Sequence, residues 1–140
     1  MRAVLDPNVI ISALLSPGGA PARALVAWVQ GGFELVVSPD LLAELERALR
    51  YPKLRKRVSA EDAREVLDWL ASAADMATDP DDPPSVRSRD PGDDYLIALA
   101  ESERAVLVSG DEHLLGLADE IPVVTPAELL SRFVPGPPSS

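Results

Sequence analysis

Four short runs, Ala3-Val4-Leu5, Phe33 to Val37 (apolar but for Glu34), Ala105 to Val108 and Ile121 to Val124, recur along this chain with helical patterns between them. Runs that stay apolar on consecutive residues leave neither strand face suited to water, so both faces need cover. A parallel sheet with helices on either side supplies it. The expected fold is therefore α/β, a three-layer α/β/α sandwich around a central parallel sheet.

The segments between the runs fit that expectation. Val9 to Leu15 reads as an apolar helix, and Ser16-Pro17-Gly18-Gly19 as a loop. Ala22, Leu25, Val26 and Val29 lie at helical spacing and stop at Gly31-Gly32. Ser38-Pro39 places an N-cap before a proline at the first helical position, and Leu41, Leu42, Leu45 and Leu49 follow on one face. Ser59 caps a further helix, with Glu61, Asp62 and Glu65 near its start and Val66, Leu67 and Leu70 on its core face. Residues 78–92, rich in Pro and Asp, read as a loop. Helices are expected over 93–103 and 111–118, and Thr125-Pro126 opens a last one ending near Phe133. One domain over 1–133 with a disordered tail over 134–140 is the expected organisation.

A hydrophobic fraction of 46% over 140 residues is enough for one buried core, and an aromatic fraction of 4% makes that core aliphatic. With no cysteine, disulfides and thiolate metal sites are excluded. No signal-like segment and no apolar run of bilayer length is visible. A soluble cytoplasmic protein without membrane contact is expected.

In parallel α/β sheets the functional crevice lies at the carboxyl ends of the strands. Asp6 ends the first strand, and Asp111 follows Ala105 to Val108 through Ser109-Gly110. Asp93 opens the helix leading into that strand, and Glu44 sits about a turn into the helix after Phe33 to Val37. Each acid has an ordinary alternative: Asp6, Asp111 and the pair Asp93-Asp94 can cap helices, and Glu44 can be a solvated helix residue. The case rests on four acids able to face one crevice. An oxygen-only set suits Mg²⁺ or Mn²⁺, which polarises a phosphoryl oxygen and lowers the pKa of a bound water. Without metal, crowded carboxylates repel and their proton affinities rise together. His113 is expected on the solvent side of its helix without a role, and Asp79, Asp81 and Asp82 in solvated loop.

The net charge of −10 argues against a polyanion partner on field alone. Yet six of the thirteen basic residues, Arg47, Arg50, Lys53, Arg55, Lys56 and Arg57, fall in one stretch at the end of the Glu44 helix. They either complement the helix C-terminus or form a track along which an RNA strand entering the crevice lies.

With those residues in place, the chain resembles PIN domains, specifically the stand-alone prokaryotic group of toxin components of toxin–antitoxin pairs. The likeness runs from Met1 to about Phe133. The family's opening strand and Asp-x-Asn motif are matched by Leu5-Asp6-Pro7-Asn8-Val9-Ile10. Its Leu-x-Glu-Leu is matched by Leu42-Ala43-Glu44-Leu45, and its helix-opening acid by Asp93-Asp94-Tyr95-Leu96-Ile97-Ala98-Leu99-Ala100. Its Thr/Ser-x-Asp after a strand is matched by Ser109-Gly110-Asp111. The resemblance implies a metal-dependent endoribonuclease, often a homodimer and often restrained by a cognate antitoxin. On it, Asp6, Glu44, Asp93 and Asp111 hold Mg²⁺ or Mn²⁺ and act as the catalytic acids, and Asn8 and Ser109 support them by hydrogen bonding. Asp94 is a neighbour from which only one of the pair should lead, since consecutive helix residues point about 100° apart. One departure is Pro7, where Thr or Ser is common; Pro offers neither hydroxyl nor N–H. The alternative is a catalytically silent PIN-like binding or scaffold module. Receiver domains and haloacid-dehalogenase-like phosphatases fit less well: both want a lysine after a late strand, and the only lysines are Lys53 and Lys56.

Overall fold

A computed structural model describes residues 1–132. Five strands, β1 (Arg2–Leu5), β2 (Glu34–Val37), β3 (Asp75–Met76), β4 (Val106–Val108) and β5 (Val123–Val124), form one sheet in the order β3-β2-β1-β4-β5. Every pairing is parallel. Ala3 stands between Leu35 and Val106, and Leu5 opposite Val108, which faces Val124 on its other side. This register brings the carboxyl ends of β1, β4 and β5 to one edge. Ala3, Val4 and Leu5 are fully buried, as are Val36, Val37 and Val108, so the unbroken apolar runs are those of a sheet covered on both faces.

The helices are α1 (Pro7–Leu15), α2 (Ala20–Val29), α3 (Pro39–Leu49), α4 (Pro52–Arg55), α5 (Ala60–Ala73), α6 (Asp94–Ser102), α7 (Glu112–Leu115) and α8 (Pro126–Ser131). The first helix packs against α2 and α3, α2 against α8, and α3 against α5, while α6 packs on β1 and β4. The chain moves one way from β1 through β2 to β3 and the other way to β4 and β5. Right-handed crossovers, the rule for parallel strands, put the helices of those two halves on opposite faces. The point where direction reverses is the carboxyl end of β1, where Asp6 stands.

Local signals explain the helix starts. The Ser38 hydroxyl accepts the Leu41 N–H at 3.2 Å ahead of Pro39, and Ser59 does the same for Asp62 at 3.0 Å. Thr125 and Glu128 form a reciprocal capping box. Leu41, Leu45 and Leu49 are buried at a spacing of four and seat α3 on the core. In α5 the buried positions are Ala63 and Leu70, with Val66 and Leu67 only half-buried.

Three expectations need correction. A two-residue strand, β3, occupies Asp75–Met76, where none was expected; both residues are exposed and carry no apolar pattern. The seventh helix ends at Leu115 instead of 118, with Gly116 as its C-cap. The helix expected from 93 is preceded by a 3₁₀ turn, Pro91–Asp93, and begins at Asp94. The boundary at Phe133 and the tail lie outside the described residues. Among the described residues, no single helix is long and apolar enough to cross a membrane.

Candidate active site

Asp6 is 4% exposed, and every polar atom of its carboxylate is engaged. Its own N–H donates to the Val108 carbonyl at 2.9 Å, continuing the β1–β4 ladder. Oδ1 accepts the Asn8 N–H at 3.0 Å and so caps α1, and Oδ2 accepts the Ser109 hydroxyl at 2.8 Å. Burial pushes this carboxyl up from its ordinary value; the Asn8 N–H and the Ser109 hydroxyl pull it back, and the charge of Asp111 pushes it up again. The capping alternative is realised in Asp6, and it leaves the site reading open to the same residue. Asn8 contributes through its backbone, and Ser109 through its side chain. Pro7 occupies the first helical position, where its missing N–H leaves no bond unmade, so the departure at this position leaves the Asp6 cap intact.

The buried Ser109 hydroxyl also accepts the Asp111 N–H at 3.0 Å. One hydroxyl therefore sets the spacing between two acids. Asp111 in turn caps α7, its Oδ1 accepting the His113 N–H at 2.7 Å. His113 is exposed, as expected, but its ring lies close enough to lower the proton affinity of Asp93.

Asp93 occupies the N-cap position of α6 without making a side-chain cap bond. Its Oδ2 is buried and has no hydrogen-bond partner among the described residues. Burial first, then the charges of Asp6, Asp90 and Asp111, push its carboxyl up to about 6. Asp94 turns elsewhere: Oδ1 accepts the Ser88 N–H at 2.9 Å, and Oδ2 meets Arg87 at 3.2 Å. Of the pair, Asp93 lies in the field of Asp6 and Asp111, and Asp94 anchors the loop over 78–92.

Glu44 lies in the second turn of α3, its side chain 42% exposed and its Oε2 paired with Arg47 at 2.6 Å. What joins it to the others is Tyr95, whose half-buried phenol is pushed strongly up by burial and then by the charges of Asp6, Glu44, Asp93 and Asp79. That ring sits within the field of four acids. Asp79 corrects the expectation of a solvated loop residue: it is half-buried, its Oδ2 accepts the Asp40 N–H in the first turn of α3 at 2.9 Å, and its Oδ1 is buried without a partner. Asp81 and Asp82 are exposed, as expected. Tyr95 stood inside a quoted motif, where an aromatic among acids was a usable signal. Asp79 offered none, since its partner lies 39 residues away.

The basic stretch is largely committed to its own surroundings. Arg47 pairs with Glu44 and Arg50 with Glu46. Arg55 donates to the Leu49 carbonyl at 3.4 Å and Arg57 to that of Leu15 at 3.2 Å. Lys53 and Lys56 are exposed and form no ion pair among the described residues.

Among the described residues, no group of three acids is already arranged to hold a metal ion. The donor set nevertheless fits a hard divalent cation: it is all carboxylate oxygen, and one of those oxygens is buried without any donor. A buried anionic oxygen lacking a partner is costly unless a cation compensates it.

Residues 2–113 match the PIN domain family. An uncharacterized protein of Methanocaldococcus jannaschii, MJ1680, is 29% identical over 143 residues, covering 95% of this chain and 92% of that protein. Among solved structures, VapBC2 from Rickettsia felis, bound to a DNA fragment from its promoter, superposes with a TM-score of 0.62 at 14% identity, covering 89% of this chain and 98% of the other. FitAcB from Neisseria gonorrhoeae gives 0.58 at 19% identity, with the same coverages. The PilT N-terminus domain protein SSO1118 from Sulfolobus solfataricus P2 gives 0.58 at 15% identity, covering 96% and 94%. At these identities the structural likenesses establish the fold.

Proposed function

Because this chain belongs to the PIN domain family, we propose that it is an endoribonuclease dependent on Mg²⁺ or Mn²⁺, the toxin component of a toxin–antitoxin pair. The observation that carries the reading is Asp93 Oδ2, a buried carboxylate oxygen with no donor among the described residues, held within the field of Asp6 and Asp111. Asp6, Glu44, Asp93 and Asp111 would hold the ion, which when bound lowers the pKa of a water and stabilises charge on the phosphoryl oxygens. Like charges hold the carboxylates apart when nothing lies between them, in keeping with acids that share a field without forming a closed ligand shell.

The surrounding residues have definable work. Ser109 and the Asn8 backbone keep Asp6 oriented with both oxygens satisfied. Tyr95, a phenol protonated at neutral pH even at its ordinary value and pushed further up by burial and its acidic neighbours, presents an O–H that can donate to a phosphoryl oxygen. Lys53 and Lys56, with Arg47, Arg50, Arg55 and Arg57 behind them, supply cations for an RNA backbone. The likeness in fold to two toxin–antitoxin complexes supports an antitoxin partner. A homodimer acting in the cytoplasm completes the proposal.

One observation favours the second reading, a silent binding or scaffold module: Glu44 is paired with Arg47. Incubation of a pool of structured and single-stranded RNAs with Mn²⁺ or Mg²⁺, against EDTA and against Asp93→Asn, separates the two. Metal-dependent cuts lost in the variant support the nuclease. A folded, metal-binding wild type that cuts nothing, with or without a partner protein, supports the silent module.

A further inference from the structure

Beside the acids a cavity of about 490 Å³ opens between α1, α2 and α8. Its size falls within the ~300–1,000 Å³ of ligand sites. Two of its lining residues, Asn8 and Asp111, belong to the acid site itself, so whatever fills it is contiguous with a group reacting there. The other walls are small or flat: Val9, Pro21, Pro126 and Ala127, with Gly110 at the edge, where an added Cβ would meet nothing within 4 Å. The polar groups in reach are neutral, from Asn8, Ser12 and Thr125, and Asp111 is the only charged side chain of the lining. A phosphate has no cation to meet in this cavity and one carboxylate to avoid. A flat, uncharged ring with hydrogen-bonding edges has the half-exposed Pro21 face to lie on and amide and hydroxyl groups to address. The second helix begins at Ala20 behind Gly19, which offers no side-chain cap; Pro21 carries no N–H and the Arg23 N–H is taken by the Gly19 carbonyl, which leaves the Ala20 and Ala22 N–H groups for an acceptor on such a ring.

From this juxtaposition we infer that the cavity between α1, α2 and α8 receives the unpaired base of the nucleotide adjoining the scissile phosphodiester of a single-stranded nucleic acid. The inference rests on the nuclease reading and adds a requirement to it. A base held in a cavity must leave its stack and its pairing partner, so duplex is a poor substrate. Because no aromatic side chain among the described residues lines the cavity, discrimination between bases comes from edge contacts and fit.

The test uses Ala127→Trp, a filling substitution at an exposed position of α8, outside the acid machinery. Two readouts are taken on single-stranded RNA oligomers, one unmodified and a set carrying a single abasic residue at successive positions. The first is Mn²⁺-dependent cleavage, and the second is binding to the Asp93→Asn protein with and without Ala127→Trp. The expected result is that one abasic position weakens both binding and cleavage at least tenfold in the parent, and that Ala127→Trp produces the same loss and removes the abasic effect. Equal binding and cutting by filled and unfilled protein would overturn the base cavity and leave the nuclease standing. Abasic-sensitive binding without any cleavage would support the cavity and remove the nuclease. Absence of RNA binding by both proteins, or a cavity filled only by a partner protein's side chain in a complex, would overturn the inference. Circular dichroism of each variant establishes that the fold is retained.

Discussion

Replacing Asp93 by Asn should make the metal-free protein more stable. The carboxyl is pushed from 3.8 to about 6 by burial and then by Asp6, Asp90 and Asp111. Each tenfold in proton affinity is worth about 1.4 kcal/mol, so keeping it ionised costs at most about 3 kcal/mol. The residue is only half-buried, and water screens its neighbours on the open side; about half that figure, ~1.5 kcal/mol, is the realistic gain. The sign follows from proton linkage. Between about pH 4 and pH 6 the folded protein binds more protons at this site than the unfolded chain, so wild-type stability falls as pH rises through that window. The substituted amide does not titrate, so the difference between variant and wild type should be small at pH 4, grow through pH 6 and level off above it. At ~3–5 °C per kcal/mol for a domain of this size, thermal unfolding in EDTA at pH 8 should show a midpoint raised by about 5 °C. Added Mn²⁺ should then raise the wild type and leave the variant unmoved. A variant less stable than wild type at pH 8, or a difference independent of pH, would refute the view that Asp93 is held ionised against its surroundings.

The same geometry yields further expectations. Ser109→Ala removes the donor to Asp6 and the acceptor for the Asp111 N–H, and should cost ~1–3 kcal/mol, read as a lower urea midpoint at unchanged slope. Mn²⁺ at a hundredfold excess over its Kd should add about 2.7 kcal/mol in thermal melts, and Asp6→Asn should erase the gain; a wild type indifferent to millimolar Mn²⁺ would remove the metal proposal. Asp79→Ala should cost ~1 kcal/mol through loss of its bond to the start of α3 and lower cleavage through Glu44, whereas Asp79→Asn, which keeps an acceptor, should retain stability. Reversing Lys53 and Lys56 to Glu should weaken RNA binding and flatten its dependence on salt; titrations superimposable on wild type would show that RNA does not run along α4.

How much could be read from the chain differs by element. The strands β1, β2 and β4 were legible because burial on both faces forces continuous apolar runs, and α3 because Ser38, Pro39 and the leucine spacing agree. The third strand was hidden, since Asp75 and Met76 join the sheet by backbone pairing to Val36 and Val37 while their side chains stay in water. The seventh helix looked longer than it is because Leu117 and Ala118 continue the apolar pattern in turns beyond Gly116. In the sequence, Asp6 and Asp111 were visible as acids closing strands; that one Ser109 hydroxyl bonds both Asp6 and the Asp111 N–H was not. The choice between Asp93 and Asp94 depended on where Arg87 and Ser88 come to rest, and the burial of Asp79 on a contact with α3. Neither is encoded within a few residues of the position it decides.

The bond between Ser109 and Asp6 spans 103 positions, and this separation bears on when the proposed site can assemble during synthesis. Asp6 is among the first residues synthesised, yet it has no partner for Oδ2 until β4 has emerged and docked beside β1. Long-range parallel pairing of this kind is slow to form, because loop closure must precede any contact it rewards. A nascent chain shorter than this point carries at most three of the four proposed acids, and no hydroxyl to orient the first. On the nuclease proposal, premature termination upstream of residue 109 should therefore yield fragments without cleaving capacity, and full-length chains should acquire it only after synthesis has passed Asp111.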